Sequence, residues 1–391
     1  MRDLNQVLLR QEPTPGTVIT DFTSADLAVR LTDESRMDPN IEQVSTGEIQ
    51  GSSSSRPDGQ GARSIAGLLS WILRPSLTPA SAPPAAAVLY EMGLLKGKQV
   101  KEITIGSVTG GPFLDGEIIR VGGNDRGKVF RPTSASPLKY TVEGGAIASG
   151  DAITGQTSGA TASVTANPVN KGWLYRLVDS DFIGASDTKH HASIFYNCGG
   201  LALVGRGCLG ELSFELAHGR YCVVKSQVLG AWASHEDRAI YDVSSYPDEG
   251  AEAPRYVNTQ MTIGSFSPTD IDSVTLRIPL GLDLRGDANH ASEEGILFAD
   301  YDRRNNAPTI ELEPALTKKA TAAGNFDFFG NAKAGTTYAV KFQVGTSVFF
   351  YADEAQIIQP GFGARRNLKT VPMRLKLCGK KNDELQIYFA G

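Results

Sequence analysis

HHASIFYNCGGLALVGRGCLGELSFELAHGRYCVVKSQVLGAWAS, residues 190–234, is the stretch whose reading decides the fold. Apolar and other residues alternate through Ser193-Ile194-Phe195-Tyr196, through Gly210 to Leu216 and through Cys222 to Leu229, which is the period of a strand with one packed face. Gly199-Gly200, Gly205-Arg206-Gly207 and His218-Gly219-Arg220 fall between these runs as turns, so a meander of three or four strands is expected. Its clearest strand, Glu211 to Leu216, puts Leu212, Phe214 and Leu216 on one side and Glu211, Ser213 and Glu215 on the other, because successive strand side chains point opposite ways. One face is then packed and the other wet and acidic.

Working outward, further strands are expected at Val257 to Ile263, Asp272 to Pro279, Thr309 to Glu313, Thr337 to Val344, Val348 to Tyr351, Gln356 to Ile358, Val371 to Leu377 and Leu385 to Phe389. So many short strands favour a mainly β sandwich or barrel over an α/β fold. Tyr246 to Arg255, rich in Pro, Gly and acid, reads as an exposed connection. Ala85 to Leu95 reads as a short flanking helix, with Pro83-Pro84 before it and Gly97 after it.

Residues 98–179 change character. Gly110-Gly111-Pro112-Phe113-Leu114-Asp115-Gly116-Glu117-Ile118-Ile119 recurs 34 residues on as Gly144-Gly145-Ala146-Ile147-Ala148-Ser149-Gly150-Asp151-Ala152-Ile153. Each copy runs through a second turn into a strand, at Lys128-Val129-Phe130 or Ala162-Ser163-Val164, which predicts a small duplicated β module. A glycine-rich linker is the alternative. The division expected is 1–97 as an arm, a loop and the first part of the main domain, 98–179 as the inserted module, and 180–391 as the remainder. Within the first part, Gln11-Glu12-Pro13-Thr14-Pro15-Gly16 breaks what precedes it, Thr23 to Asp26 can cap a short helix, and Gly51 to Gly61 has a loop composition. An N-terminal arm and a long loop are expected, with a disordered tail and linker as the other reading.

A Tyr-Asn strand end, a Gly-Gly turn, G-E-L-S-F-E-L and a strand closing in Leu229-Gly230-Ala231-Trp232 resemble the central meander of tail tube proteins of long, non-contractile-tailed bacteriophages. Met373 to Gly379 followed by Asn382 to Phe389 is similar to that family's closing strand pair, and Ala85 to Leu95 to its short helix. The likeness covers about two thirds of the chain; residues 98–179 depart from it as an insertion. It also implies a strand at Ser64 to Arg74, where Ile65, Leu68, Leu69 and Ile72 by themselves fit a helical spacing; a strand is the expectation.

What the resemblance implies is a structural virion protein, made in the host cytoplasm and housed in the tail. Its members form hexameric rings stacked into a tube that conducts the genome. Partners would be further copies, terminator, tail-tip and tape-measure proteins, and DNA in transit. The arm and long loop would join stacked rings, and Glu211 and Glu215 would line the lumen as a negative band that DNA does not adhere to. The alternative is a tail-tip or carbohydrate-binding adhesion module, which needs exposed aromatic residues on one strand face; Trp71, Trp173, Trp232 and Tyr301 are scattered instead. A glycan hydrolase comes third.

Composition narrows the field independently. The 391 residues carry a net charge of −5, so no global basic field of the kind that grips nucleic acid is present. No run of apolar residues is long enough for a membrane helix, and the first residues lack the apolar core of a signal peptide. Cys198, Cys208, Cys222 and Cys378 lack any C-x-x-C spacing and read as buried free thiols; a Cys208–Cys222 bridge across adjacent strands is the minor alternative. Gly205-Arg206-Gly207-Cys208-Leu209-Gly210 matches a dinucleotide-binding spacing literally but joins two strands, leaving no helix terminus for a phosphate. Adjacent His190 and His191 on a strand point to opposite faces, which strains shared coordination of a metal with Asp187. Asp270 with Asp272, Glu293 with Glu294, and Arg285-Gly286-Asp287 read as solvated turns. No catalytic residue, cofactor site or metal site is assigned, and the chain is read as not an enzyme.

Overall fold

The computed structural model describes residues 5–44, 59–75, 78–83, 86–132, 136–177, 190–242, 246, 252–257, 260–286, 296–302, 306–317, 325–379 and 384–391. The fold is mainly β. In chain order the strands are β1 (Asn5–Gln11), β2 (Arg36–Val44), β3 (Gly59–Ile72), β4 (Leu95–Ile103), β5 (Ile118–Val121), β6 (Asn124–Val129), β7 (Leu138–Val142), β8 (Ala152–Gly155), β9 (Thr161–Ser163) and β10 (Val169–Leu177). Then come β11 (Ala192–Cys198), β12 (Leu201–Ala217), β13 (Val223–Asp237), β14 (Thr262–Ile263), β15 (Ser273–Ile278), β16 (Leu282–Gly286), β17 (Ile296–Tyr301) and β18 (Thr309–Leu312). A short helix, α1 (Phe328–Ala334), precedes β19 (Thr337–Val344), β20 (Val348–Ile358), β21 (Gly363–Arg365), β22 (Leu368–Thr370), β23 (Met373–Cys378) and β24 (Gln386–Ala390).

One continuous antiparallel layer runs β2–β3–β13–β12–β15–β18–β23–β20. Two of its strands carry the sheet around the core. The first half of β12 pairs with β11, which pairs with β1, while the first half of β20 pairs with β24, followed by β10 and β4. Between them Phe214 of β12 meets Phe350 of β20 edge-on at 5.4 Å, and Phe342 stacks on Phe350 at 4.5 Å.

The helix expected at Ala85 to Leu95 is a π-helical turn, Ala86–Tyr90, prolonged to Met92; Leu95 already opens β4 and Gly97 lies inside that strand. It sits in the core, not on one side of the sheet. Leu89, Tyr90, Met92 and Leu94 are all buried, and the Tyr90 ring contacts Tyr175, Phe389, Phe214 and Trp71 at 5.1–6.4 Å. The run of large apolar residues in the turn outweighs any surface role.

Four further expectations are corrected. The N-terminal arm is in part a core strand: β1 pairs with β11 from Asn5↔Cys198 to Gln11↔Ala192 and buries Val7, Leu8 and Leu9. Gly205-Arg206-Gly207 is not a turn but a β-bulge inside the single strand β12. Gly207 has φ +56, and an added Cβ would lie 2.4 Å from Phe298 Cβ, so only glycine fits. The expected strand from Val257 shrinks to Thr262–Ile263, while Val348 to Tyr351 and Gln356 to Ile358 merge as β20. The expected strand at Ser64 to Arg74 is present as the longer β3. Residues 51–58 of the expected loop lie outside the described residues.

The inserted module has its own core of Ile103, Ile105, Phe113, Ile119, Val129, Leu138, Tyr140, Ile147, Ile153, Ala160, Ala162 and Val164. Its boundaries are narrower than 98–179, because β4 and β10 pair with each other and β10 with β24, making them part of the main body. The duplication is visible in the bonding. Leu114 donates its N–H to Glu117 Oε1 at 2.6 Å, and Ala148, its counterpart, donates to Asp151 Oδ2 at 2.8 Å. Gly116 N–H bonds the Val129 carbonyl as Gly150 N–H bonds that of Val164, and β5 and β8 pair antiparallel at the centre.

Candidate assembly surfaces

Register alone sends Glu211, Ser213 and Glu215 to the outward side of β12, and that is where they lie. The face they share is not acidic. Glu211 Oε1 accepts the N–H groups of Leu280 and Gly281 at 2.9 and 2.8 Å, capping the turn into β16. Glu215 pairs with Lys225 at 2.9 Å, and Lys225 also reaches Glu34 at 3.1 Å. The Glu215 hydrogen bond holds the Lys225 ammonium above its usual range. Farther across, Glu311 takes Arg374 at 2.6 Å and Arg277 at 3.7 Å. The expected acidic wall is a strip of mixed charge, because strands remote in sequence bring Lys225, Arg277 and Arg374 beside the carboxylates.

Both margins of this strip are covered. The hairpin β16–β17 lies over one side, where Phe298 abuts the β12 bulge. On the other side the module folds back. Phe130 packs on Tyr388 and Tyr351 at 5.1 and 6.2 Å, and the Arg131 guanidinium sits 4.1 Å over the Tyr351 ring while pairing with Asp353. Phe349, Tyr351 and Tyr388 form a row of aromatic rings on one sheet face, and the module lies against Tyr351 and Tyr388 while Phe349 is half-buried beside them.

Of the ten exposed large apolar side chains among the described residues, seven stand at the two ends of the layer, while Val18, Leu114 and Val169 lie elsewhere. Tyr221, Val257, Leu316, Phe362 and Leu368 stand at the end where β12 and β18 finish and β13 and β23 begin; Ile41 and Leu201 stand at the opposite end. At that opposite end β3 parts from β13: Ser64 is the last residue of β3 paired with β13, which runs on to Asp237 beside β12, while Ile41 to Val44 and Gly59 to Arg63 pair only with each other. The β2–β3 pair therefore separates from the layer there as a two-stranded ribbon.

The buried polar side chains form a brace. Glu12 accepts the Gly207 N–H at 2.7 Å, the Ser193 hydroxyl at 2.8 Å and the Gly16 N–H at 2.6 Å. The bulge frees the Gly207 amide for this bond, so the carboxylate ties the end of β1 to the middle of β12. Burial pushes the Glu12 carboxyl above its usual range, against these bonds, which favour the anion. Little in the sequence around Glu12 marked it, since two of its three partners are 181 and 195 residues away.

The remaining candidates do not converge. His190 and His191 are buried, and His191 Nε2 bonds the Ala299 carbonyl at 2.7 Å. Among the described residues no group of three His, Cys, Asp or Glu side chains is placed to hold a metal, and Asp187 lies outside them. All four cysteines are free, but Cys198 is exposed and Cys378 half-buried, because each ends its strand; only Cys208 and Cys222 are core thiols. Arg285 and Gly286 belong to β16 and not to a turn, with Asp287 beyond the described residues, as are Glu293 and Glu294. Asp272 pairs with Arg365 at 3.3 Å. No described helix is long and apolar enough to cross a membrane. No protein-family model matches the chain, and no curated protein matches it.

Proposed function

We propose that the chain is a structural virion protein, a subunit of the tail tube of a long-tailed phage, assembling as stacked six-membered rings around a conduit for the genome. The observation that supports this reading is the placement of seven of the ten exposed large apolar side chains among the described residues at two ends of the layer, with the β2–β3 ribbon parting from the layer at one of them. A subunit that stacks end to end needs adhesive ends and a non-adhesive flank. Ring order and tail location come from the resemblance of residues 190–234 and 373–389.

In this reading Glu211 and Glu215 belong to the lumen strip. A strip of paired charges is well hydrated and carries little net field, so DNA slides past it for want of a counter-charge. That replaces the repulsive wall expected from β12 alone. The adhesion-module alternative requires an accessible aromatic row, and in the one on β20 and β24 the Tyr351 and Tyr388 rings lie under Phe130 and Arg131. The test is negative-stain electron microscopy of the purified protein over a concentration series. Rings or tubes are expected; a monomer at every concentration that binds glycans would select the alternative.

A further inference from the structure

Phe362 is the most exposed large apolar side chain among those described, at 79 %, yet it is held rigidly. One face of its ring stacks on Phe329 of α1 at 4.6 Å, which leaves the other face open. α1 is fixed at both ends, by Asp327 accepting the Gly330 N–H at 2.9 Å and by Gly335 in the left-handed conformation. Beneath it Phe326, Phe328 and Phe266 pack ring on ring. Leu316 donates its N–H to the Lys369 carbonyl and Thr317 its hydroxyl to that of Phe326, joining α1 and the β21–β22 hairpin in one platform. Positive charge gathers around the ring pair, although the chain as a whole is acidic. Residues 325–335 and 359–372 carry Lys333, Arg365, Arg366 and Lys369 against the single carboxylate of Asp327, which caps α1. Lys333 follows Phe329 by one helical turn and lies on the same face of α1. Lys369 pairs across the hairpin with Ala364, two residues after Phe362, so alternation puts it on the side of the exposed ring. Both ammonium groups are exposed, and neither has a carboxylate partner among the described residues. Arg365 is taken by Asp272 at 3.3 Å, and Glu313 accepts the Thr370 hydroxyl. Arg366 stands 3.8 Å from Asp272 but is 83 % exposed, on the tight turn it makes with Asn367 at φ +48 and +65.

We infer that this platform is the docking site for a partner protein of different sequence, which presents a short acidic segment carrying one aromatic residue. That residue stacks on the open face of Phe362, and the carboxylates beside it meet Lys333, Lys369 and Arg366. Complementary charge selects the partner, and the stacked pair supplies an anchor that loses little conformational freedom on contact. A long polyanion fits less well, because a chain of net charge −5 has no wider basic field to hold it. A bilayer fits less well too, since one ring inserts too little apolar surface for stable anchoring. The inference goes beyond the assembly reading and does not depend on it: Tyr221, Val257, Ile41 and Leu201 remain for contacts between copies.

The probe is a fluorescein-labelled Gly-Asp-Glu-Trp-Glu-Asp-Gly peptide, followed by anisotropy against the full chain at a concentration where it is monomeric. Saturable binding is expected, weakened by salt and cut about tenfold by Phe362→Ser, the scale of a hot-spot loss. Lys333→Glu with Lys369→Glu should lose the acidic peptide and gain its counterpart with Lys and Arg in place of Asp and Glu. All these positions are exposed, and circular dichroism of each variant checks that the body is folded. No saturable binding, binding indifferent to Phe362→Ser, or equal binding of both peptides overturns the docking site. Tighter Phe362-dependent capture of phosphatidylglycerol vesicles or of a short single-stranded oligonucleotide overturns it as well. So does self-association that Phe362→Ser abolishes and the peptide does not compete with, which would give the platform to a second copy.

Discussion

The main body and the inserted module are both antiparallel β, but they are held together in different ways. The body is closed by contacts between residues far apart in sequence. Tyr90 gathers Trp71, Tyr175, Phe214 and Phe389, and Glu12 bridges to Ser193 and Gly207. The module is closed by neighbours: a twelve-residue core drawn from 103–164, glycine turns, and two carboxylates at equivalent positions capping equivalent loops. Local contacts are cheap in loop entropy, which is why a duplicated segment can make a small core by itself. The body, by contrast, depends on its first strand finding a partner almost two hundred residues away.

Deletion should separate the two regions most sharply. Removing residues 1–15 takes away β1 and leaves the Ser193 and Gly207 donors without Glu12, so no soluble folded protein is expected, contrary to what an arm would allow. Replacing 104–165 by a short Gly/Ser linker should leave a folded body, because the β4–β10 pairing and the Tyr90 core survive. Expression and denaturant melts of both shortened proteins check this; a well-folded 16–391 fragment would remove the comparison altogether.

Next in size is the asymmetry between the two module copies. Glu117 is buried and also accepts the Thr157 and Ser158 N–H groups and the Ser158 hydroxyl, whereas Asp151 lies in a more open loop. Glu117→Ala should cost the module about 2–3 kcal/mol and Asp151→Ala about 1 kcal/mol, on the scale of bonds to charged groups. Amide exchange of Ile119 and Ile153 reports the difference, and equal losses would mean the copies are equivalent in energy as well as in form.

A smaller effect is expected at the joint. Arg131→Ala removes the contact with Tyr351 and the pair with Asp353, worth roughly 1 kcal/mol together at a half-exposed site. Global stability should barely move, while Tyr351 and Tyr388 become more accessible to a surface-labelling reagent. Unchanged labelling would show that Phe130 alone holds the module down.

The smallest effect is a dependence on pH within the body's polar brace. Burial holds the His191 imidazole below its usual range, so the unfolded chain takes up a proton first as pH falls through 6.5. His191 thus contributes stability above its unfolded pKa that is lost toward its folded one. Glu12 has the opposite sign: its raised folded pKa means stability present below 4.5 is lost as pH rises through the folded value. Urea midpoints from pH 4 to 8 should rise less steeply with pH below 6.5 in His191→Gln, and should fall less with rising pH above 4.5 in Glu12→Gln. The module, followed by its own exchange rates, should show neither slope.

Much of this was legible in the residues. The alternation Glu211-Leu212-Ser213-Phe214-Glu215-Leu216 set which side chains face out, and the recurrence at Gly110 and Gly144 set the module's form, since strand period and turn glycines act over a few residues. The bulge at Gly207, the strand nature of β1 and the burial of Tyr90 were not legible, because each depends on a partner chosen by the whole sheet. Charge shows the division most plainly. By itself the sequence determined that the β12 carboxylates reach solvent; only the tertiary structure decided that Lys225 meets Glu215 and that backbone amides of Leu280 and Gly281 occupy Glu211. A side chain's direction follows from its own backbone, whereas its electrostatic surroundings are made by whatever strands come to lie beside it.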